Sequence, residues 1–279
     1  MNLAIFNARM NSSRFPGKLM QPLYTEPSTK EEKSVLQMFL ERMKTVESWD
    51  HMVLAVPKDP INQPLLEVAE KMGVDTWQSE IPAEDALGRV KEAADHYHAN
   101  TVIRVTPDCP ALHRDIIHRV CIAAYINRNG AHYFSNCWHR GVGAESRFPR
   151  GMEVEAISYA MLEQMEIETG PKGSKPSPYD REHVTTFIRR YPRVFGHVDV
   201  PPTNSVRNIS GMPKSVTEAF PARLTLDYPE DLDVLRNVFR ELQPTSDPKT
   251  GYFDLTDISA LYKAKPELFK ANAHIEQRG

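Results

Sequence analysis

The sequence predicts an α/β fold, with one large domain built on a layered and parallel-rich sheet. Short apolar runs typical of strands alternate with longer segments of helical period, which argues against a β-sandwich. The apolar content of 41% over 279 residues is enough for a sizeable core. No apolar stretch approaches the run of about 18 residues that is needed to cross a membrane. We therefore expect a globular chain without a membrane partner.

The net charge and the cysteine positions argue against further classes of protein. A net charge of −3 gives no support for a nucleic-acid binder, so clustered arginines must be interpreted locally. Cys109, Cys121 and Cys137 form no Cys-x-x-Cys pair, which argues against a disulfide framework or a structural zinc site. Met1 leads directly into an apolar run, so we expect no signal peptide and a cytoplasmic location.

The first half of the chain supplies most of the predicted sheet. The expected strands cover residues 3–6, 52–56, 74–77 and 101–105. The expected helices cover residues 31–46, 62–72, 84–99 and 115–127, the first with Ser34 or Thr29 as its cap. The polar stretch 24–33 is expected to be a surface excursion.

The second half is less regular. Strands are expected at 132–136, 152–157, 198–200 and 223–227, and helices at 158–169 and from Pro229 onward. Residues 170–178 are rich in Gly and Pro and are expected to form a lid or loop, and 201–221 is a polar stretch without a clear period. Residues 1–242 are predicted to form the domain, with 243–279 as a helical extension packed on it that includes an apolar helix at 262–269.

The loop at residues 8–18 carries three cations after the first strand. Arg9, Arg14 and Lys18 lie among small and turn-forming residues, at the carboxyl end of a strand where α/β proteins commonly bind phosphates. Three cations suit a triphosphate of about four negative charges. A solvated basic loop is the alternative. The spacing is neither that of a Walker loop nor that of a dinucleotide-binding loop.

Two carboxylates follow other predicted strands. Asp108 comes after the strand at 101–105, and Asp227 ends the apolar run at 223–227. Carboxylate oxygens are good Mg²⁺ ligands, and Mg²⁺ is commonly held by one or two carboxylates together with substrate phosphates. The pair therefore predicts a magnesium site formed by Asp108 and Asp227.

These motifs resemble a known family. Residues 8–18 match the Ala-Arg-x-x-Ser-x-Arg-x-Pro-x-Lys signature of the CMP-sugar-forming cytidylyltransferases, in the branch named for the spore-coat polysaccharide protein SpsF. Residues 106–110, 148–155, 180–185 and 223–232 match later motifs of this branch, which is related to the CMP-Kdo and CMP-sialic acid synthetases. The resemblance covers about residues 1–242. It implies a three-layer nucleotidyltransferase fold, Rossmann-like and of GT-A type, with a mixed central sheet.

The resemblance also implies roles for individual residues. The residues expected to bind the nucleotide are Ala8, Arg9, Ser12, Arg14, Lys18 and Asp108. For Asp85 and Arg89, nucleotide contact and an ordinary pair on a helix surface both remain open, because three extra residues interrupt the family motif there. Pro107 stands where the family has glycine, which removes one N–H from the loop. Lys18, Arg14, Asp108 and Asp227 are the expected catalytic residues.

An acceptor site is expected in the second half. Its candidate residues are Asn136, Arg150, Glu155, Arg181 and His183, the last two inside the Asp-Arg-Glu-His-Val-Thr motif. Arg140, Arg147, Arg150 and Arg181 are concentrated in loop-rich stretches, and guanidinium groups grip carboxylates or phosphates. The expected acceptor is therefore a small anion, above all a sugar acid. The alternative is that these arginines pair with glutamates nearby in sequence.

The expected reaction is the transfer of CMP from CTP to a hydroxyl group of that acceptor, with Mg²⁺ and release of pyrophosphate, in surface polysaccharide or glycan synthesis. Three rivals stay open: activation of a phosphate or phosphonate, sugar transfer on a similar fold, and nucleotide binding without catalysis. The absence of Asp-x-Asp at residues 108–110 weakens the second of these. Family relatives often dimerise, so a homodimer is also an expectation.

Overall fold

The computed structural model describes residues 1–127, 132–137, 148–173, 175–191, 196–200, 220–245, 247, 249 and 252–275. Within these residues the central sheet has seven strands, which are β1 (Asn2–Asn7), β4 (His51–Pro57), β5 (Asp75–Ser79), β6 (Thr101–Arg104), β7 (Tyr133–Ser135), β8 (Glu155–Ser158) and β9 (His197–Asp199). Their order in the sheet is β5-β4-β1-β6-β8-β7-β9. Every pairing is parallel except those that β8 makes with β6 and β7, so the sheet is mixed as expected.

Helices cover both faces of this sheet. They are α1 (Val35–Met43), α2 (Gln63–Lys71), α3 (Ala86–His96), α4 (Arg114–Asn127), α5 (Tyr159–Thr169), α6 (Pro178–His183), α7 (Thr186–Arg190), α8 (Pro229–Leu242) and α9 (Leu255–Ala264). Alternate residues of β1 enter separate cores. Ala4 and Phe6 pack in a core with α1 and α8, whereas Leu3 and Ile5 pack in a core with α3 and α5. The predicted three-layer α/β fold is confirmed.

Local predictions for residues 24–46 are confirmed in part. The expected surface excursion at 24–33 is a hairpin, in which β2 (Pro22–Thr25) pairs antiparallel with β3 (Glu32–Ser34), and residues 27–32 are exposed. The expected helix at 31–46 begins only after Ser34, whose side chain accepts a hydrogen bond from the Gln37 N–H and so caps α1.

Two other segments depart from regular structure. The expected strand at 223–227 is a single bridge between Arg223 and Arg150, because the chain turns at once into the start of α8. The expected helix at 262–269 is the end of α9 followed by a separate 3₁₀ turn, Pro266–Phe269, which starts at a proline. The polar stretch 201–221 lies outside the described residues up to residue 219.

The C-terminal segment shares the core of the sheet. The ring of Phe253 lies 5.1 Å from that of Phe239 of α8, and Phe269 lies 5.1 Å from Tyr262. Phe253, Ile258 and Phe269 are buried in the same cluster as Phe6 of β1. The boundary at residue 242 stays a prediction, since packing alone does not test it. Among the described residues, no helix is long and apolar enough to cross a membrane.

Candidate active site

Lys18 lies at the centre of a charged cluster. Its Nζ donates to Asp108 Oδ2 at 2.6 Å and to the Leu226 carbonyl at 2.6 Å, and lies 3.3 Å from Asp227 Oδ1. Burial lowers the pKa of Lys18, but the carboxylates of Asp108 and Asp227 outweigh it and hold the pKa above its usual value. Burial likewise raises the pKa of Asp108, and Lys18 reverses this and lowers it. The structure therefore brings together a fixed cation and the two predicted carboxylates.

Asp227 is anchored from behind. Arg223 Nη2 donates to Asp227 Oδ2 at 2.6 Å, and Arg223 Nε donates to Asp231 Oδ1 at 2.8 Å. Asp231 Oδ2 in turn accepts the backbone N–H groups of Asp227 and Tyr228 at 2.8 and 2.9 Å. All three charged side chains are almost fully buried. This ion-pair network fixes the direction of the Asp227 carboxylate.

The other two loop cations reach different partners. Arg14 Nη2 donates to Asp227 Oδ1 at 2.7 Å, while 47% of its side chain stays exposed. Arg9 Nη2 donates to Glu182 Oε1 at 3.1 Å, and its Nη1 donates to the Ala83 carbonyl at 3.3 Å. Arg14 and Lys18 thus converge on one carboxylate, whereas Arg9 is held by Glu182 and the Ala83 carbonyl.

Several backbone N–H groups of the 8–18 loop are used within the protein. Ala8 N donates to the Ala55 carbonyl, and Ser12 N and Gly17 N both donate to the Met10 carbonyl. These N–H groups are therefore not available to a phosphate group. The side chains of Arg9, Arg14 and Lys18 supply the positive charge instead, and Ala8 and Ser12 contribute to the cleft wall.

The side chain of Asp85 caps a helix and forms an ion pair. Its carboxylate accepts the Gly88 N–H at 2.8 Å and so caps α3, and it accepts Arg181 Nε at 2.8 Å. Arg181 also donates to Glu166 Oε1 at 3.0 Å, so it lines neither cleft described below. Asp85 lines neither cleft, and its ion-pair partner is Arg181 rather than Arg89 of its own helix. Arg89 does line the first cleft, although its Nη atoms donate to the Pro82 and Ala83 carbonyls.

Two clefts meet at this cluster. The first, of 460 Å³, is lined by the 8–18 loop, Arg89 and Asp108. The second, of 650 Å³, extends toward β8 and the segment after α6. The two share the residues Arg14, Arg104, Thr106, Asp108 and His183. A ligand in either cleft therefore contacts the same border.

A buried carboxylate with two arginines forms the floor of the second cleft. Glu155 of β8 accepts Arg104 Nη1 at 2.5 Å, Arg189 Nη2 at 3.0 Å and the Tyr133 hydroxyl at 2.6 Å. Burial alone raises the pKa of Glu155, but Arg104 and Arg189 lower it to about 2. The two guanidinium groups exceed the single carboxylate by one positive charge, and both remain partly exposed to the cleft.

The remaining residues predicted for the acceptor site lie in different environments. Asn136 is buried, and its amide donates to the Met152 carbonyl at 2.7 Å and accepts the Val154 N–H at 2.8 Å, so it holds the segment before β8. Arg150 lines the second cleft, and its carbonyl accepts the Leu224 N–H at 2.7 Å. The predicted Arg140 and Arg147 lie outside the described residues.

His183 is presented to both clefts by a strained turn. Val184 has φ +56° and ψ −63°, a conformation that costs a β-branched residue free energy, and Thr185 N donates to the His183 carbonyl at 2.6 Å. Burial lowers the pKa of His183, and Arg104 and Arg14 lower it further. The imidazole is therefore neutral at neutral pH and can accept a proton.

The carboxylate pair fits the predicted magnesium ion. Within the described ranges, no group of three or more His, Cys, Asp or Glu side chains is placed to hold a metal. Asp108 and Asp227 nevertheless both lie within 3.3 Å of the ammonium of Lys18, so the two carboxylates converge on one point. Two carboxylates are a common protein contribution when substrate phosphates complete the coordination.

Sequence reasoning missed Arg104, Arg189 and the support behind Asp227. An arginine inside the apolar run Thr101–Arg104 is an unusual residue for a buried strand, and that was the available signal. Arg189 carried no such signal, because a basic residue on a short helix is commonly solvated.

Comparisons with known proteins agree with this geometry. Over 99% of each chain, the fold superposes with a TM-score of 0.77 and 24% identity on a cytidylyltransferase from Leptospira borgpetersenii serovar Hardjo-bovis. A CMP:2-keto-3-deoxy-manno-octonic acid synthetase in complex with CTP matches with a TM-score of 0.57 and 14% identity, over 86% of this chain and 98% of that one. The uncharacterized protein MJ1063 of Methanocaldococcus jannaschii is 22% identical over 99% of this chain and 96% of its own length. The family model for cytidylyltransferases matches residues 3–246, and the chain therefore belongs to this family of CTP-dependent nucleotidyltransferases.

Proposed function

We propose that the protein transfers CMP from CTP to a hydroxyl group of an acidic sugar, as an SpsF-like enzyme of surface polysaccharide or glycan synthesis. The observation that carries this proposal is the junction of two clefts at Lys18, Arg14, Asp108 and Asp227. The first cleft would hold CTP and the second the acceptor. The reacting atoms would then meet at the shared border.

The reaction needs positioning and charge neutralisation more than covalent chemistry. The acceptor oxygen attacks the α-phosphorus and forms the new P–O bond, while the bond from that phosphorus to the bridging oxygen breaks and pyrophosphate leaves. Arg9, Arg14 and Lys18 would bind the triphosphate. His183, neutral and facing both clefts, would take the proton of the hydroxyl group.

Mg²⁺ belongs to this proposal. Asp108 and Asp227 would hold it, and the ion, when bound, neutralises charge on the triphosphate. Lys18 and Arg14 now pair with these carboxylates. Once phosphates occupy the first cleft, both cations have alternative anionic partners, which leaves the carboxylates available for the metal.

The arginines of the second cleft support an anionic acceptor. Arg104, Arg150 and Arg189 line it together with Glu153 and Glu155, and Arg104 and Arg189 share the single carboxylate of Glu155. A guanidinium grips a carboxylate or a phosphate through paired N–H groups. A phosphate- or phosphonate-bearing acceptor is therefore the second candidate, and the same assay separates it from a sugar acid.

The test is pyrophosphate release with each of the four nucleoside triphosphates and a panel of acceptors. The panel pairs a sugar acid with its uncharged reduced analogue and with a sugar phosphate, in the parent and in Arg150→Lys. We expect release with CTP and the sugar acid, and little with the reduced analogue. Equal use of the acid and the reduced analogue would show that no anion is recognised. Exclusive use of the sugar phosphate would replace the proposed acceptor, and no release with any pair would leave only nucleotide binding.

Metal dependence is tested by exchange of the carboxylates. Asp108→Asn and Asp227→Asn keep the size of each side chain but remove the charge that Mg²⁺ requires. We expect both variants, and the parent in excess EDTA, to lose pyrophosphate release. Asp180→Asn is the control, because Asp180 is also buried and paired with an arginine, yet lines neither cleft. Full turnover in EDTA would contradict the metal site.

A further inference from the structure

A residue near the C-terminus reaches the network behind Asp227. Asn272 is buried, with 3% of its surface exposed. Its Nδ2 donates one hydrogen bond to Asp231 Oδ1 at 2.9 Å and one to the Arg223 carbonyl at 2.9 Å. Both amide protons are therefore used, and both partners belong to the segment that carries Asp227.

These bonds complete the coordination of a buried carboxylate. Asp231 Oδ1 accepts from Asn272 and Arg223, and its Oδ2 accepts from the backbone of Asp227 and Tyr228. A buried carboxylate that loses one donor can be satisfied again only if its neighbours move. Those neighbours are the guanidinium that holds Asp227 Oδ2 and the backbone N–H of Asp227 itself.

We infer that Asn272 is a positioning residue for the Asp227 carboxylate, through Asp231 and Arg223. Asp227 in turn faces the two cations Arg14 and Lys18 across the junction of the clefts. Asn272 lies 30 residues beyond the end of the predicted domain at 242, so the extension contributes to the active site. This inference rests on the proposed function to the extent that turnover is one of its readouts.

A second contact of the same extension supports the assignment. The carbonyl of Phe253 accepts a hydrogen bond from Arg42 Nη2 at 2.8 Å. Arg42 also donates to the carbonyls of Ala111 and Leu112, which follow the Asp108 segment. The extension thus contacts Arg42, which binds the segment after Asp108, as well as Arg223 and Asp231, which hold Asp227.

The experiment compares Asn272→Ala with Asn237→Ala. Asn237 Nδ2 donates to the Leu268 carbonyl at 3.0 Å, so the control also removes a hydrogen bond between the extension and the body of the protein. It does not contact Asp231. For each variant, melting temperature, CTP affinity without metal, and kcat and KM for pyrophosphate release are measured on the folded protein.

We expect both variants to melt at a lower temperature, but only Asn272→Ala to lose function. Loss of a group that orients a carboxylate at a metal site typically costs about 10- to 100-fold. We expect a loss in that range in kcat, and a several-fold weaker CTP affinity, with the control unchanged in both. Unchanged kcat and affinity in folded Asn272→Ala would overturn the inference. Absence of turnover in the parent would refute the proposed function, whereas the affinity comparison would still decide the role of Asn272.

The Asn272→Asp variant allows a measurement that would not change if Asn272 had a purely structural role. It also replaces the alanine variant if that variant fails to fold. A protonated carboxyl group at position 272 can donate a hydrogen bond to Asp231, whereas an ionised one repels it. We expect the ratio of variant to parent kcat to fall as pH rises through the pKa of the new carboxyl group, with the fold followed by circular dichroism at each pH. A flat ratio would contradict the inference.

Discussion

At the scale of single residues, the site is a balance of three cations and three carboxylates. Lys18, Arg14 and Arg223 face Asp108, Asp227 and Asp231 over distances of 2.6 to 3.3 Å. Removing Lys18 would leave two carboxylates facing each other without their shared cation. Arg14 is the cleaner probe of nucleotide binding, because nearly half of its side chain is exposed and Asp227 keeps Arg223 as a partner.

Arg14→Ala is expected to weaken CTP binding while the fold is kept. A charge-assisted hydrogen bond to a phosphate contributes roughly 1.5–3 kcal/mol, which is about 10- to 150-fold in affinity. Arg190→Ala is the matched control: Arg190 is equally exposed at 47% and also pairs with a buried aspartate, Asp180, but lines neither cleft. Titration calorimetry with CTP measures both. Equal affinities in parent and Arg14→Ala would exclude this arginine from the phosphate site.

Gly151→Ala is expected to destabilise the protein and to disturb the site. Gly151 has φ +99°, and a Cβ there would lie 2.4 Å from the backbone carbon and oxygen of Leu224. Strain and overpacking together cost about 3 kcal/mol or more. Because Leu224 precedes Asp227 by three residues, activity should fall as well.

The control for this change is Gly73→Ala. Gly73 has φ +63° but no atom within 4 Å of a new Cβ, so only the backbone strain of about 1–2 kcal/mol applies. Urea unfolding of both variants separates the two costs. Similar losses of stability in the two variants would show that the close approach of the new Cβ to Leu224 is relieved at no cost in free energy.

Residue types indicated part of this site. Lys18, Asp108 and Asp227 were predictable because each follows an apolar run in a motif of polar residues. Arg104, Asp231 and Asn272 were not, because their roles depend on neighbours 51, 8 and 41 positions away along the chain. A sequence pattern records spacing along one element and does not show which elements meet.

At the scale of elements, the antiparallel strand β8 builds the second cleft. It pairs with β6 and β7, and this register places Glu155 opposite Arg104 and Ser135. The strained turn at Val184 then leads into α7, which brings Arg189 to the same carboxylate. The parallel direction of the first strands followed from strand–helix alternation. The insertion of β8 in the opposite direction did not, since alternation predicts only parallel neighbours.

Glu155→Gln is expected to lower the free energy of unfolding by about 2 kcal/mol at neutral pH, because both arginines lose their ionised partner. The pKa of Glu155 is about 2 in the folded protein against an ordinary value of 4.5, so its ionised form favours folding above pH 4.5. The stability difference between parent and variant should therefore shrink as pH falls from 4.5 toward 2. Urea titrations across this window measure it. A difference that stays constant would show that Glu155 is not held ionised.

At the scale of the whole molecule, the C-terminal extension and the sheet share one core. Phe253 packs against Phe239, and the guanidinium of Arg42 lies 4.3 Å from the Phe253 ring. Arg42 is fully buried without a carboxylate partner among the described residues, and burial lowers its pKa to about 9. The apolar character of the segment was readable in the sequence, whereas its docking place was not.

Phe253→Ala is expected to destabilise the entire protein by about 3–5 kcal/mol, the usual cost of deleting a buried ring. Since the core is shared, tryptophan fluorescence and far-UV circular dichroism should report one transition whose midpoint shifts by the same amount. Ile167→Ala, at an exposed side chain of α5, should leave both midpoints unchanged. A fluorescence midpoint that does not move would show that the extension unfolds separately.

The Asn272 contact also has a consequence for biosynthesis. A nascent chain appears from its N-terminus onward, so the phosphate loop and Asp108 are made long before residue 272. Asp227 and Arg223 can pair as soon as both have emerged, but Asp231 then lacks one of its donors. Every strand of the sheet is available at that stage, whereas the junction of the clefts is not yet fixed. We therefore expect catalytic competence only after residue 272 has emerged, as a step later than the formation of the sheet.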